Sequence, residues 1–306
     1  MKKTDYHVHI YDDIPVEDTA DYFKDMCARK GYEGVGIMAL WHTTDGYFRD
    51  CNEKALKLKK MIPNSYAFAA LDREKDFVEQ AEEHMKNGFD GIKLFEGKPS
   101  EYKIFGWGYE NERFDRFFEY AEEKQIPIML HNNDPIENWD MTKATPRAIE
   151  KGWVYDESVP SQEWFFKVLE DALDKHRDLR IAIAHLGFYA DDLDRAEVLL
   201  EKCPRLYFDI TPALPIYVDL CKAPARSEAF FRRYHDRLIY GTDAANALTG
   251  AARDYNDTKT EVIKTFLEGS EPKQIGKYYI TPIKLDAEML ENIYYNNGRR
   301  FLNKEC

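Results

Sequence analysis

Six side chains of this 306-residue chain have the types and positions to hold a divalent cation and act on a polar substrate beside it: His7, His9, Lys93, His131, His185 and Asp243. His7 and His9 stand in "DYHVHI" (5–10), next to apolar Val8 and Ile10. Side chains alternate faces along an extended strand, so residues two apart project together. Two imidazoles on one face suit a metal; a polar edge strand is the plainer reading of this fragment alone. His131 closes "IPIMLH" (126–131), His185 lies in "RIAIAHL" (180–186), Asp243 closes "RLIYGTD" (237–243) and Lys93 lies in "GIKLF" (91–95). Singly, each has a structural reading: a core or rim histidine, an aspartate capping the next segment, a lysine paired with a carboxylate. At the same end of five of the chain's strands, they point to one metal centre. Nitrogen and carboxylate donors suit Zn2+, which leaves a fourth position open to water; Mn2+, Fe2+ and Ni2+ accept the same donors. A bound divalent cation lowers the pKa of its water to about 7. An aspartate there can both ligate weakly and take the proton, which is the role expected of Asp243.

Strands are needed to bring these residues together. Besides the four runs containing histidine or Asp243 and "GIKLF", the chain has apolar runs at "GVGIMAL" (34–40), "SYAFAAL" (65–71) and "LYFDIT" (206–211). Most are apolar on both faces, as parallel strands covered on both sides must be. Charged amphipathic stretches separate them. Helices are predicted over 72–88, starting on Asp72 as N-cap, over 111–125, 192–203 and 287–302. Eight such units without a linker predict one (β/α)8 TIM-barrel domain over 1–306, of the α/β class, with the metal site at the C-terminal ends of the strands. A doubly wound open sheet is the alternative. Two connections, 132–161 and 244–258, are too long for simple turns, and the segment 132–160 is expected to form a lid over the mouth.

The net charge of −13 provides no basic field for a nucleic-acid partner. Five cysteines, odd in number and without a C-x-x-C pair, read as free thiols in a reducing compartment. The N-terminus lacks the apolar core of a signal peptide, and no stretch approaches a membrane span. These features lead to the expectation of a soluble cytoplasmic protein with a small-molecule substrate and neither a nucleic-acid nor a membrane partner; a homo-oligomer is compatible with them.

The ordered set "HVH" (7–9), "GIKL" (91–94), "HNNDP" (131–135), "AHLG" (184–187), "GTDA" (241–244) and "NNGRRFL" (296–302) resembles the amidohydrolase superfamily, in particular the amidohydrolase-related branch that includes aminocarboxymuconate-semialdehyde decarboxylase and several lactone and amide hydrolases. The resemblance covers nearly the whole chain. It implies that His7, His9, His131 and Asp243 hold the metal. It makes His185 either a second-metal ligand or a group polarising the substrate. Lys93 falls where some members carry a carboxylated lysine bridging two metals; a one-metal site with Lys93 binding substrate or a ligand carboxylate is favoured here.

The expected reaction is hydrolysis of a small cyclic or aromatic, carboxylate-bearing amide, lactone or ester, with His185 supporting the oxyanion and Asp243 moving the proton. Non-oxidative decarboxylation uses the same constellation and is the alternative. A metal-stabilised binding protein without turnover is a third reading. For the substrate, the loops offer aromatic and cationic side chains, of which Trp41, Trp139 and Arg147 are the chosen candidates; His42, Tyr47, Arg49, Lys98, Trp107, Trp153 and Tyr155 accompany them.

Overall fold

In the computed structural model, which describes residues 1–10, 13–40, 51–247 and 249–304, strands and helices alternate along the chain. The order is β1 (Asp5–His9), α1 (Val16–Lys30), β2 (Val35–Met38), α2 (Asn52–Met61), β3 (Tyr66–Ala70), α3 (Phe77–Lys86), β4 (Gly91–Gly97), α4 (Pro99–Phe105), α5 (Glu112–Lys124) and β5 (Ile128–Asn132). It continues with α6 (Pro146–Glu150), α7 (Gln162–Lys175), β6 (Ile181–Ile183), α8 (Leu193–Lys202), β7 (Leu206–Asp209), α9 (Leu214–Lys222), α10 (Pro224–Arg233), β8 (Leu238–Ile239), β9 (Ala244–Ala245) and α11 (Gly250–Glu268). A small hairpin of β10 (Lys273–Ile275) and β11 (Tyr278–Ile280) precedes α12 (Ala287–Glu291), a π-turn at Asn292–Asn296 and α13 (Asn297–Phe301).

All pairings in the main sheet are parallel, in the order β9–β1–β2–β3–β4–β5–β6–β7–β8. The two outermost members, β8 and β9, belong to one stretch of chain, so the sheet closes on itself as a (β/α)8 TIM barrel. The seam is hydrogen-bonded along its length: Tyr6 N donates to Tyr240 O at 3.1 Å, Asp243 N to His7 O at 2.9 Å and Asn246 N to His9 O at 3.2 Å. Gly241 permits this approach, because a Cβ there would stand 2.7 Å from Thr211 Cγ2 and 2.8 Å from His7 Cβ.

Strand alternation sorts the side chains into two layers. Outward residues such as Val8, Ile37, Ile92, Leu94, Ile128, Leu130 and Phe208 are buried beneath the helices. Inside, the lower half of the barrel is filled by Met38, Phe68, Met129, Ala182 and Ile239, and plugged by Phe301 and Leu302 at the chain's C-terminal end. Above that apolar floor the inward positions turn polar: His7, His9, Lys93, His131 and Asp209. Burial of the floor keeps the polar layer at one end of the barrel.

Four expectations need correcting. The helix predicted from Asp72 begins at Phe77, because Asp76 is the cap, accepting from Val78 N and Glu79 N; Asp72 instead accepts from Glu74 N in a turn. The sixth strand stops at Ile183, and His185 and Leu186 adopt left-handed backbone. The eighth strand is broken between Ile239 and Ala244. The presumed loop 244–258 is largely helix: α11 starts at Gly250 behind the Thr249 cap. Its first turns carry no apolar stripe because they bury polar side chains, Asn256 and Lys259, against the barrel rim.

Candidate metal centre

The upper end of β1 presents the histidine pair, with His7 Nε2 and His9 Nε2 3.1 Å apart. Asp243 meets them from the break in the eighth strand. Its Oδ1 lies 3.0 Å from His9 Nε2 and 4.0 Å from His7 Nε2. Two ligands at about 2.0–2.1 Å from a tetrahedral cation stand roughly 3.4 Å apart, and these three donors bracket that spacing. Burial pulls the pKa of His7 well below its ordinary value and that of His9 down as well. Neutral imidazoles keep the lone pair that a cation needs. The donor set therefore fits a divalent metal.

Sequence reasoning missed two residues of this site. Asp209, at the end of β7 and 0% exposed, accepts from His7 Nδ1 at 2.5 Å. This bond fixes the tautomer and leaves His7 Nε2 as the donor, the usual arrangement behind a metal-binding histidine. Strand parity was the available signal, since Tyr207 and Asp209 alternate with apolar Leu206 and Phe208. Lys259 is the second; it bonds Asp243 from α11. Its position in a polar stretch without periodicity offered no signal.

Asp243 itself has left-handed backbone, φ 54°. Burial alone would raise its carboxyl, but Lys259 and His9 hold it well below the usual range. Asp5 fixes the turn before it, accepting from Thr242 N at 2.9 Å and Thr242 Oγ1 at 2.5 Å. Asn133, His185, Leu186 and Phe188, at neighbouring strand ends, also have positive φ. Strained backbone of this kind persists where the surrounding structure over-determines it, often at functional sites.

His131 and His185 share the mouth but not the tight donor cluster. Their rings are 5.0 Å apart, and the His185 ring is 6.1 Å from His7. His131 Nε2 donates to Asn133 O at 2.9 Å, and burial pulls its pKa well down. His185 Nδ1 lies 3.0 Å from the Thr211 hydroxyl and 3.2 Å from the Thr211 carbonyl. Lys93 is 3% exposed, and its Nζ has no hydrogen-bond partner among the described residues. Burial lowers its pKa, while Asp209, Asp243 and Glu96 pull it back up.

The segment after β5 carries its own small cluster of Tyr155, Val159 and Phe165, packed with Trp139, Trp153, Trp164 and Tyr102. Trp139 Nε1 donates to Pro160 O at 3.0 Å. Beneath it, buried Lys98 bonds both oxygens of Asp134 at 2.7 and 2.8 Å, and Tyr155 donates to the same carboxylate. Arg147, on α6, lies 5.0 Å from the ring of Tyr255 on α11, so the segment reaches from β5 to the helix that follows the eighth strand. Trp107 packs against Phe105 and Phe114. Trp41, His42, Tyr47 and Arg49 lie outside the described residues.

Removing Lys98 would leave Asp134 as an uncompensated buried charge, which costs about 3–5 kcal/mol. Lys98→Met should therefore lower the urea midpoint of unfolding and speed proteolytic cutting between 133 and 160. An unchanged midpoint would show that the pair does not anchor the segment.

A parallel barrel with histidines and a carboxylate gathered at the C-terminal strand ends defines a class of metal-dependent barrel enzymes. The sequence matches the amidohydrolase family over residues 4–304, and the chain belongs to that family, whose members are metal-dependent enzymes. No curated protein matches the chain. Among solved structures, it is similar to a probable 2-pyrone-4,6-dicarboxylic acid hydrolase of Acinetobacter baumannii, at 14% identity and a TM-score of 0.56, over 99% of this chain and 100% of that one. It is also similar to 4-oxalomesaconate hydratase of Rhodopseudomonas palustris (15% identity, TM-score 0.55, 98% and 95% covered). A third is the 2,6-dihydroxybenzoate decarboxylase of Rhizobium (14% identity, TM-score 0.54, 99% of each chain). These likenesses are of fold. Among the described residues, no helix is long and apolar enough to cross a membrane.

Proposed function

We propose that this chain is a metal-dependent hydrolase of a small, carboxylate-bearing cyclic or aromatic amide, lactone or ester. The observation that carries the reading is the convergence of His7 Nε2, His9 Nε2 and Asp243 Oδ1, with the buried Lys93 Nζ left without a hydrogen-bond partner among the described residues. His7, His9 and Asp243 would hold one divalent cation, zinc by donor type, with His131 joining on exchanging its Asn133 carbonyl. When bound, the cation supplies Lewis-acid polarisation and a more acidic water.

The chain's own groups do the rest. Asp243 accepts the proton of the attacking water and passes it to the leaving group. His185, its Nδ1 held at Thr211, would support the developing oxyanion from Nε2. Lys93, as an unmodified ammonium, pairs with a substrate carboxylate. The 132–160 segment acts as a lid, and Trp139 and Arg147, with Trp41, contribute to substrate binding. Non-oxidative decarboxylation by the same residues is the second reading, supported by the decarboxylase among the similar folds.

Protein prepared without chelator should carry near one equivalent of metal by elemental analysis. A screen of lactones, amides and aromatic carboxylates should find a turned-over substrate, with activity lost on chelation. Acid release without carbon dioxide supports hydrolysis, whereas carbon dioxide release supports the second reading. Full activity in metal-free protein would overturn both.

A further inference from the structure

We infer that Lys259 is a positioning residue that occupies one oxygen of Asp243 and its main-chain carbonyl, leaving a single carboxylate oxygen to face the histidine pair. The inference rests on the reading of His7, His9 and Asp243 as the cation-holding group. The two oxygens of Asp243 are divided between partners. Oδ1 faces His9 Nε2 at 3.0 Å and His7 Nε2 at 4.0 Å. Oδ2 lies 3.4 Å from Lys259 Nζ, which also donates to the Asp243 carbonyl. Lys259 is 4% exposed, so solvent does little to screen its charge.

Its backbone is held in place for this contact. Asn256, three residues earlier on α11 and so on the same helix face, donates to Ala245 O and to Tyr22 Oη, both at 2.8 Å. The helix thus grips the 243–245 main chain at two points. Tyr255 stands 5.2 Å from Lys259 Nζ and 5.0 Å from the Arg147 guanidinium, so a second cation from the segment after β5 approaches the same corner.

A neutral donor would satisfy the Asp243 carbonyl equally well. A buried ammonium is expensive to desolvate, and beside a ligand carboxylate its charge repels an incoming divalent cation. What the charge provides is control over the carboxylate. It keeps Oδ2 out of the coordination sphere and holds Oδ1 in one orientation. Removing the charge lifts the repulsion and frees Oδ2, and both changes act in one direction: the cation is held more tightly, by more oxygens.

Cobalt(II) titrated into metal-free protein tests this without a substrate. Lys259→Met and Lys259→Gln are expected to bind cobalt(II) about 10-fold or more tightly than wild type. Their visible absorption should be weaker, as the freed Oδ2 joins and the coordination number rises. Lys259→Arg keeps the charge, so its affinity should stay within about three-fold. A lysine serving only to stabilise the fold gives the reverse, with weaker cobalt binding and lower folded stability in both neutral variants. Should the Met variant not fold, the Gln variant carries the test, since it retains a donor for the Asp243 carbonyl. Unchanged or weaker binding in the folded neutral variants overturns the inference. His7→Ala separates the two levels. If it binds cobalt(II) like wild type, the reading of the metal centre fails. If it loses cobalt(II) while the neutral Lys259 variants do not tighten, only the role of Lys259 fails.

Discussion

Asp243→Asn should yield a folded, metal-loaded protein that turns substrate over about 10²–10⁴-fold more slowly than wild type, equivalent to about 3–5 kcal/mol on the barrier. The amide preserves size and presents its oxygen to the histidine pair, while its Nδ2 replaces the oxygen that lies 3.4 Å from Lys259 Nζ. The main-chain carbonyl that Lys259 bonds is untouched, so the buried ammonium keeps a partner. What disappears is the negative charge and the capacity to take a proton. Metal content, thermal unfolding and turnover measured on one preparation check this directly. A variant with its metal that works within a few-fold of wild type would show that Asp243 does not shuttle the proton.

His7→Ala should lose the cation and activity together, because it deletes a donor rather than a base. It also strands Asp209, whose Oδ2 accepts from His7 Nδ1 in a position of zero exposure; Thr211 N at 2.7 Å on Oδ1 then remains its closest support. An abandoned buried carboxylate costs about 3–5 kcal/mol, so this variant should also melt earlier. Adding Asp209→Asn to it should recover part of that stability and none of the activity. Asp209→Asn alone leaves His7 in place and should weaken metal affinity by about 10–100-fold. Equal metal affinity in Asp209→Asn and wild type would remove Asp209 from the site. These effects separate a donor, the group that orients it and the group that moves a proton.

The eight strands could be read from the chain because each is a short apolar run between charged helices, and the closed parallel barrel follows from that repetition. Strand ends then placed His7, His9, Lys93, His131, His185 and Asp243 at one mouth, where the structure also puts them. Finer relationships were not legible. His131 and His185 share a mouth with the pair on β1, yet ring orientation and the hold of Asn133 on His131 decide which nitrogens meet. Asp209 is one acid among 56 acidic residues, and only the face it takes within β7 distinguishes it. Lys259 escaped because its significance depends on α11 folding back over the rim, a tertiary contact that no local pattern encodes. The break in the eighth strand was equally hidden, since "RLIYGTD" reads as one continuous run.

That break has a consequence for how the molecule comes into being. The stretch that carries Asp243 is the same stretch that pairs with β1, the first of the barrel's strands in chain order. Until residues 238–245 arrive, β1 has β2 on one side and no partner on the other, and its two histidines have no carboxylate to meet. All the other barrel strands must therefore be made while the edge that carries the histidine pair waits. A cation shared by His7, His9 and Asp243 would then act as a clasp between the earliest and latest strands, adding its binding free energy to the native state alone. Completion of the ring and creation of the site would be a single event.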